Sequence, residues 1–458
     1  MTNQGRRDFL KKSGLGLLPL AFGSVTAATN SNAPANTVNA PVNTSNAPEK
    51  KGSATKTVLL RSSWNDYNVG DIGHTPGTIR LLERYIPDAE IVLWHAAPRP
   101  ITEALVAKYF PKVKIVRGLF SEGDSPMNSD LKEAFDKANM YIHNSGMSFN
   151  YGLFNYNWDG MIGLLAPMLY CYNNKIPFGP YGQSFDKMAP PSMLFYRDVL
   201  NRAAFVYCRD KNSLAFVKEN AFKPRVLEFA PDGCFGIDVI DNEAGLRYLQ
   251  ANKLEKGKFL AVNIRTNTSK DGKPGDLMNP SSTPEKLAED RLRLDKVKAM
   301  ITYWVKNTGQ RVLIFPEAVK EGLQGKIQLY DSLDADIKSH VVCREEWWTN
   351  ADETMGILQH ASVVFGMEPH TLIMALTLGV PILHARPVSN GRKGWMFRDI
   401  GLPEWLFDID VVKTDELVSA LSTIVKNYPA AKTKVKAAMA VVEERQRASM
   451  NHIKASMK

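Results

Sequence analysis

The sequence is poor in cysteine, with four in 458 residues, and Cys171, Cys208, Cys234 and Cys343 lie too far apart to frame a structural zinc site. The first three neighbour apolar or aromatic residues, so an oxidising compartment leaves both disulfides and buried free thiols open. Long apolar runs are also missing. The stretch from Leu15 to Val25 is shorter than the ~20 residues a helix needs to cross about 30 Å of hydrocarbon. No basic run is interleaved with aromatics, so the formal charge of +9 does not point to nucleic acid. Arg6, Arg7, Lys11 and Lys12 against Asp8 carry +3 of it, leaving +6 for the rest. That mild excess suits an acidic ligand or a polysaccharide.

Large apolar residues are scarce between 29 and 56, a stretch of Asn, Ala, Pro, Thr and Ser in which Ser-Asn-Ala-Pro occurs at Ser31 and Ser45. Such a segment buries too little surface to offset its chain entropy and reads as a disordered tether. Before it, Arg6-Arg7-Asp8-Phe9-Leu10-Lys11-Lys12 runs into the apolar stretch and then into Val25-Thr26-Ala27-Ala28. A basic pair, an apolar core and a small-residue exit in that order are the pattern of a twin-arginine export signal. Residues 1–28 are therefore expected to be a signal peptide handled by the twin-arginine translocase, placing the folded protein in the periplasm or outside the cell. No cysteine stands near the exit, which argues against a lipid anchor.

From Thr57 onward, short β-branched runs alternate with helical periods, the signature of parallel sheets covered by helices. About 400 residues suffice for two cores. The expected architecture is α/β, with two doubly wound Rossmann-like domains facing a cleft, at 57–240 and 241–458, the second closed by C-terminal helices. A polar loop is expected from Ser63 to His74, followed by a helix with Thr75 as N-cap and Pro76 at its first position. Val206-Tyr207-Cys208 and Val226-Leu227 are expected to extend the first sheet.

In such folds the ligand site faces the C-terminal ends of the strands, and four polar clusters follow predicted strands. In Asn65-Asp66-Tyr67-Asn68-Val69-Gly70-Asp71-Ile72-Gly73-His74, Gly70 and Gly73 let the backbone approach a ligand, and Asn68 and Asp71 are its polar candidates. Asp66, Asp71 and His74 read as solvated loop residues rather than metal ligands. Gly179-Pro180-Tyr181-Gly182-Gln183-Ser184 is a glycine-rich turn. Arg209 leaves a strand end and is a candidate anion clamp through its planar fork, with Asp210 as a helix cap. His370 stands between a strand end and a helix start, where an imidazole suits a general acid or base.

In order, Asn68-x-Gly70-Asp71, Gly179-Pro180-x-Gly182-Gln183-Ser184, Arg209-Asp210-x-x-Ser213, Pro231-Asp232, and His370 with Ala375-Leu376-x-x-Gly379-x-Pro381 resemble the polysaccharide pyruvyl transferases. The resemblance spans about residues 57–400. It implies a glycosyltransferase-B-like fold, no cofactor, and transfer of pyruvate from phosphoenolpyruvate to two hydroxyls of a glycan acceptor. By that resemblance Arg209 holds the donor's anionic groups, His370 is the donor-side acid or phosphate contact, and Asp71 and Gln183 face the acceptor or shape the pocket; Ser184 is a further substrate-binding candidate. One departure stands out: the family usually has arginine two residues before its histidine, where this chain has Glu368. An unpaired, desolvated carboxylate there would repel an anionic donor by several kcal/mol. Arg265, or Arg392 and Lys393, are the candidates to supply the missing charge. Two alternatives follow: a non-catalytic carbohydrate-binding protein, or a transferase or hydrolase with another donor that uses Glu368 and Asp71 as a carboxylate pair.

Overall fold

Val58, Leu59 and Leu60 are fully buried at the centre of a parallel sheet. The computed structural model describes residues 55–122, 125–151, 158–266, 284–348 and 350–458. The expected leader, and all but the last two residues of the expected tether, lie outside the described residues. Five parallel strands, β1 (Thr57–Arg61), β2 (Glu90–Trp94), β3 (Lys114–Val116), β4 (Ala138–His143) and β5 (Phe178–Pro180), lie in the order β3-β2-β1-β4-β5. Contrary to expectation, β6 (Val206–Cys208) and β7 (Leu227–Phe229) form a separate parallel pair. The physical reason lies in β5, which is three residues long and ends on Pro180, whose nitrogen cannot donate to a ladder.

The second sheet comprises β8 (Phe259–Asn263), β9 (Arg311–Ile314), β10 (Val341–Cys343), β11 (Val363–Gly366), β12 (Ile382–Arg386) and β13 (Leu406–Asp408), in the order β10-β9-β8-β11-β12-β13 and parallel throughout. Its central strands are covered on both faces, which is why they read as unbroken apolar runs rather than alternating ones. The fold is α/β with doubly wound parallel sheets, as expected. The winding reverses between β1 and β4 and again between β8 and β11, and those reversals are where such folds bind ligands.

Helix α1 (Val69–Tyr85) begins six residues before the expected Thr75, and Pro76 lies inside it. Asn68 is the actual cap: its Oδ1 accepts from the backbone N–H of Gly70 at 2.8 Å and of Asp71 at 3.2 Å. An interior proline costs about 3 kcal/mol, but most of this helix is buried, and its packing outweighs that. Gly77 allows one close approach, since a Cβ there would stand 2.1 Å from the carbonyl oxygen of Gly233. That contact lays Asp232 beneath α1. Helix α2 (His370–Thr377) follows β11, and the final helix α3 (Tyr428–Ser456) returns to the first sheet, where the Lys458 N–H donates to the Asn139 carbonyl at 3.1 Å. All four cysteines are free thiols, and no described helix is long and apolar enough to cross a membrane.

Candidate functional site

The start of α1 is stitched to the loop after β9. The Val69 N–H donates to the Glu317 carbonyl at 2.9 Å, and the Val319 N–H to the Tyr67 carbonyl at 2.9 Å. These bonds bring the winding reversals of both sheets together around two imidazoles. His74, one turn into α1, and His370, at the first position of α2, meet edge-on with ring centroids 4.6 Å apart. Each turns Nδ1 toward a buried carboxylate, His74 to Asp232 at 2.7 Å and His370 to Glu317 at 3.2 Å. Glu317 also accepts from the backbone N–H and the hydroxyl of Thr371, at 2.9 and 2.8 Å, and so caps α2 with a negative charge at its positive end.

Beneath His74, Asp232 is fully buried and also accepts from Arg209 Nη1 at 2.6 Å and the Cys234 N–H at 2.8 Å. Burial alone would raise the Asp232 carboxyl, but the charges and hydrogen bonds of His74 and Arg209 win and hold it well below the usual carboxylate range. Burial lowers His74 despite that carboxylate, and Arg209–Asp232 is the buried ion pair.

A second cluster surrounds Glu368, fully buried between β11 and α2. Asn263, ending β8, fixes that turn by accepting from the N–H groups of Met367 at 2.9 Å and Glu368 at 3.2 Å. One carboxylate oxygen of Glu368 takes Arg265 and the other Lys393. Burial would raise Glu368, yet these two cations hold it well below its ordinary value. The attraction of Glu368 in turn raises Arg265, while burial, and then Arg265, lower Lys320 beside them.

Glu321 completes the cluster, accepting from the N–H groups of Glu317 and Ala318 at 2.9 Å each. Burial, then the charges of Glu368 and Glu317, push its carboxyl up to about 8. In the unfolded chain the same group titrates near 4.3, so its stabilising hold on the proton is complete below that pH and is lost as pH rises toward 8. The difference amounts to roughly 5 kcal/mol in order of magnitude. Glu321→Gln cannot titrate, and its stability relative to the parent is expected to climb by a few kcal/mol between pH 5 and 8.5 in urea unfolding. A flat difference across that range would remove the raised carboxyl.

On the other side of α1, at the C-terminal ends of β1 and β2, lies a cavity of about 590 Å³ lined by Arg61, Trp64, Asp66, Tyr67, Trp94 and His95, among others. Tyr67 is 61% exposed, with the Arg99 guanidinium over its ring. Trp64 Nε1 and His95 Nε2 are buried and have no hydrogen-bond partner. The exposed Tyr67 ring beside the polar side chains of Asn65 and Asp66 offers the mix of apolar face and polar groups that a sugar ring can meet.

The sequence-derived candidates are thus distributed unevenly. Gly70, Asp71 and His370 come together, as do Glu368, Arg265 and Lys393. Asn68 is spent on the α1 cap. Arg209 is 1% exposed and committed to Asp232 and to Ser184 Oγ at 2.8 Å, so it is a structural cation and not the expected anion clamp. The Ser184 hydroxyl donates a hydrogen bond to Asp210 at 2.7 Å, and Gln183 joins the Asn144 carbonyl to the Ser148 N–H. Arg392 reaches the carbonyls of Asn212 at 2.7 Å and Phe185 at 3.2 Å, tying its loop to the first half of the chain. His74 is 2% exposed within α1, not a solvated loop residue, because the helix starts early. Glu317, Lys320 and Glu321 went unnoticed in the sequence; their signal was a carboxylate two residues beyond a predicted strand end.

A family model of polysaccharide pyruvyl transferase matches residues 68–384. The chain belongs to that family. No curated protein matches it. Among solved structures, HepE from Anabaena in complex with UDP-glucose superposes with a TM-score of 0.53 at 10% identity, covering 88% of this chain and 100% of that one. HepE with UDP and glucose gives 0.52 at 10% identity, over 87% and 98%. The UDP-GlcNAc 2-epimerase of Neisseria meningitidis bound to UDP-GlcNAc gives 0.49 at 10% identity, over 87% and 100%. At such identity the HepE likeness is one of fold: this pyruvyl transferase family member has the glycosyltransferase-B-like arrangement.

Proposed function

We propose that the protein transfers pyruvate from an enol phosphate donor of the phosphoenolpyruvate type to a glycan of the cell envelope or exterior, after twin-arginine export. The observation that carries this reading is the pairing of Glu368. The two cations bound to it outnumber it, so the place where the family usually has arginine keeps cationic groups in excess of Glu368 itself. Glu321, with its carboxyl raised to about 8, is mostly protonated at neutral pH and subtracts little. The donor's carboxylate and phosphate fit there, and the acceptor sugar fits the aromatic cavity beside Tyr67. The reacting centre then lies between them, at Asp71 and His370. A proton goes to the donor's methylene carbon and one acceptor hydroxyl adds to the adjacent carbon. A second hydroxyl then displaces inorganic phosphate to close the ketal.

Both oxygens of Glu368 are occupied by cations, which disfavours the reading of Glu368 and Asp71 as a general acid–base pair. The test is phosphate release from phosphoenolpyruvate with galactose- or mannose-type glycans. Tyr67→Ala is expected to raise the acceptor KM about tenfold with kcat little changed, the effect of removing binding energy shared by ground and transition states. Glycan binding without phosphate release would instead favour the carbohydrate-binding alternative.

A further inference from the structure

We propose that Asp71, His74 and His370 form a binding site for one divalent transition-metal ion. The ligand atoms these three residues offer lie within 4.8 Å of one another. Asp71 and His74 are three residues apart on α1, the helical spacing that sets a carboxylate and an imidazole on one face. His370 comes from the other sheet's winding reversal and completes the set.

The surroundings point to an ion rather than a packed core. His74 and His370 each give Nδ1 to a carboxylate, Asp232 and Glu317, which leaves the Nε2 lone pairs as the ligands. A carboxylate behind each coordinating imidazole is the support metal sites use to fix the ring and raise its basicity. His370 is 2% exposed and its Nε2 has no hydrogen-bond partner, so a buried polar atom stands uncompensated. Charge selects the sign of the guest. Asp71, Asp232 and Glu317 stand against two guanidiniums, Arg209 on Asp232 and Arg265 near Glu317, and a cradle in which carboxylates are in excess favours a cation over an anion.

Two imidazoles and one carboxylate suit zinc or a similar first-row ion and leave coordination positions open. Bonds of about 2.0–2.1 Å place tetrahedral ligand atoms roughly 3.4 Å apart, so binding draws the side chains inward by about 1–1.5 Å. This inference rests on the proposed function only for calling the place a reacting centre, and its test requires no turnover.

The full-length protein, stripped with chelator, is titrated with Co²⁺ and Zn²⁺ and followed by visible absorption and metal analysis. One ion per chain is expected, with Asp71→Ala and His370→Ala each at least tenfold weaker and His452→Ala unchanged. Asp71→Ala keeps the Asn68 cap and loses only a long contact from Asn65 at 3.4 Å, so it is expected to fold, as near-ultraviolet circular dichroism would verify. A parent protein that binds no ion, or binds it as well as Asp71→Ala does, overturns the site. Phosphate release by a parent protein that binds no ion in this titration would leave the transferase reading intact and still overturn this one.

Discussion

Asp232→Ala is expected to destabilise the fold by about 3–5 kcal/mol, the cost of removing one partner of a buried ion pair. Arg209 would stay inside without its paired carboxylate, held by Ser184 and only the more distant charge of Asp210. Against a typical total stability of about 5–15 kcal/mol, this is enough to unfold a large share of molecules at moderate temperature. The loss has two parts, because His74 and the Cys234 N–H also lose their acceptor. Arg209→Met combined with Asp232→Ala separates them. Deleting both charges of a buried pair is often close to neutral, so the double variant should recover half or more of the stability. Urea unfolding of the two variants measures this. A loss under about 1 kcal/mol in the single variant would mean the pair contributes little; no recovery in the double one would assign the loss to His74 and Cys234. The depressed carboxyl also fixes the sign with pH. Its contribution is present above the unfolded value near 3.9 and is lost as pH falls through the lower folded value, a dependence that Asp232→Asn should flatten.

Gly70→Ala is expected to lower activity about a hundredfold while leaving a folded protein. A Cβ on Gly70 would stand 2.5 Å from each of Glu317 Oε1, His370 Cβ and His370 Nδ1. His370 Cβ sits on backbone that α2 holds, so it cannot swing aside, and α1 and α2 must separate by roughly 1 Å to restore van der Waals contact. A displacement of that size at a reacting centre costs on the order of 10²-fold in rate. For stability, overpacking costs about 1–3 kcal/mol, and alanine's better helix propensity returns at most about 1 kcal/mol. The net change is therefore modest, and rate falls much further than stability. Phosphate release beside urea unfolding reads both, and near-parental kcat in the Gly70→Ala protein would show that α1 and α2 are not in the register described.

The alternation of strands and helices was legible along the chain because parallel strands covered on both faces must be apolar, and Phe259 to Val262 or Val363 to Phe365 have no other reading. Positions after strand ends were legible as candidates for the same topological reason. The start of α1 was misplaced because Thr75-Pro76 carries a strong local start signal, whereas the true start depends on Asn68 as cap and on packing over Gly233. Arg209 was misread because its partner, Asp232, is brought to it only by the fold. An arginine at a strand end looks the same in sequence whether it faces a ligand or a buried carboxylate.

By itself, then, the sequence determined the α/β class, the family, the places after strands where chemistry belongs, and an N-terminal pattern that reads as an export address. These follow from local periodicity and ordered motifs, which need no knowledge of what touches what. Tertiary structure alone decided the pairing of charges: Glu368 neutralised by Arg265 and Lys393, Arg209 withdrawn into the core, and His74 and His370 set edge to edge. The physical reason is range. A carboxylate's effect on its site depends on which cation lies within a few ångströms, and here those partners are 23 to 103 residues away along the chain.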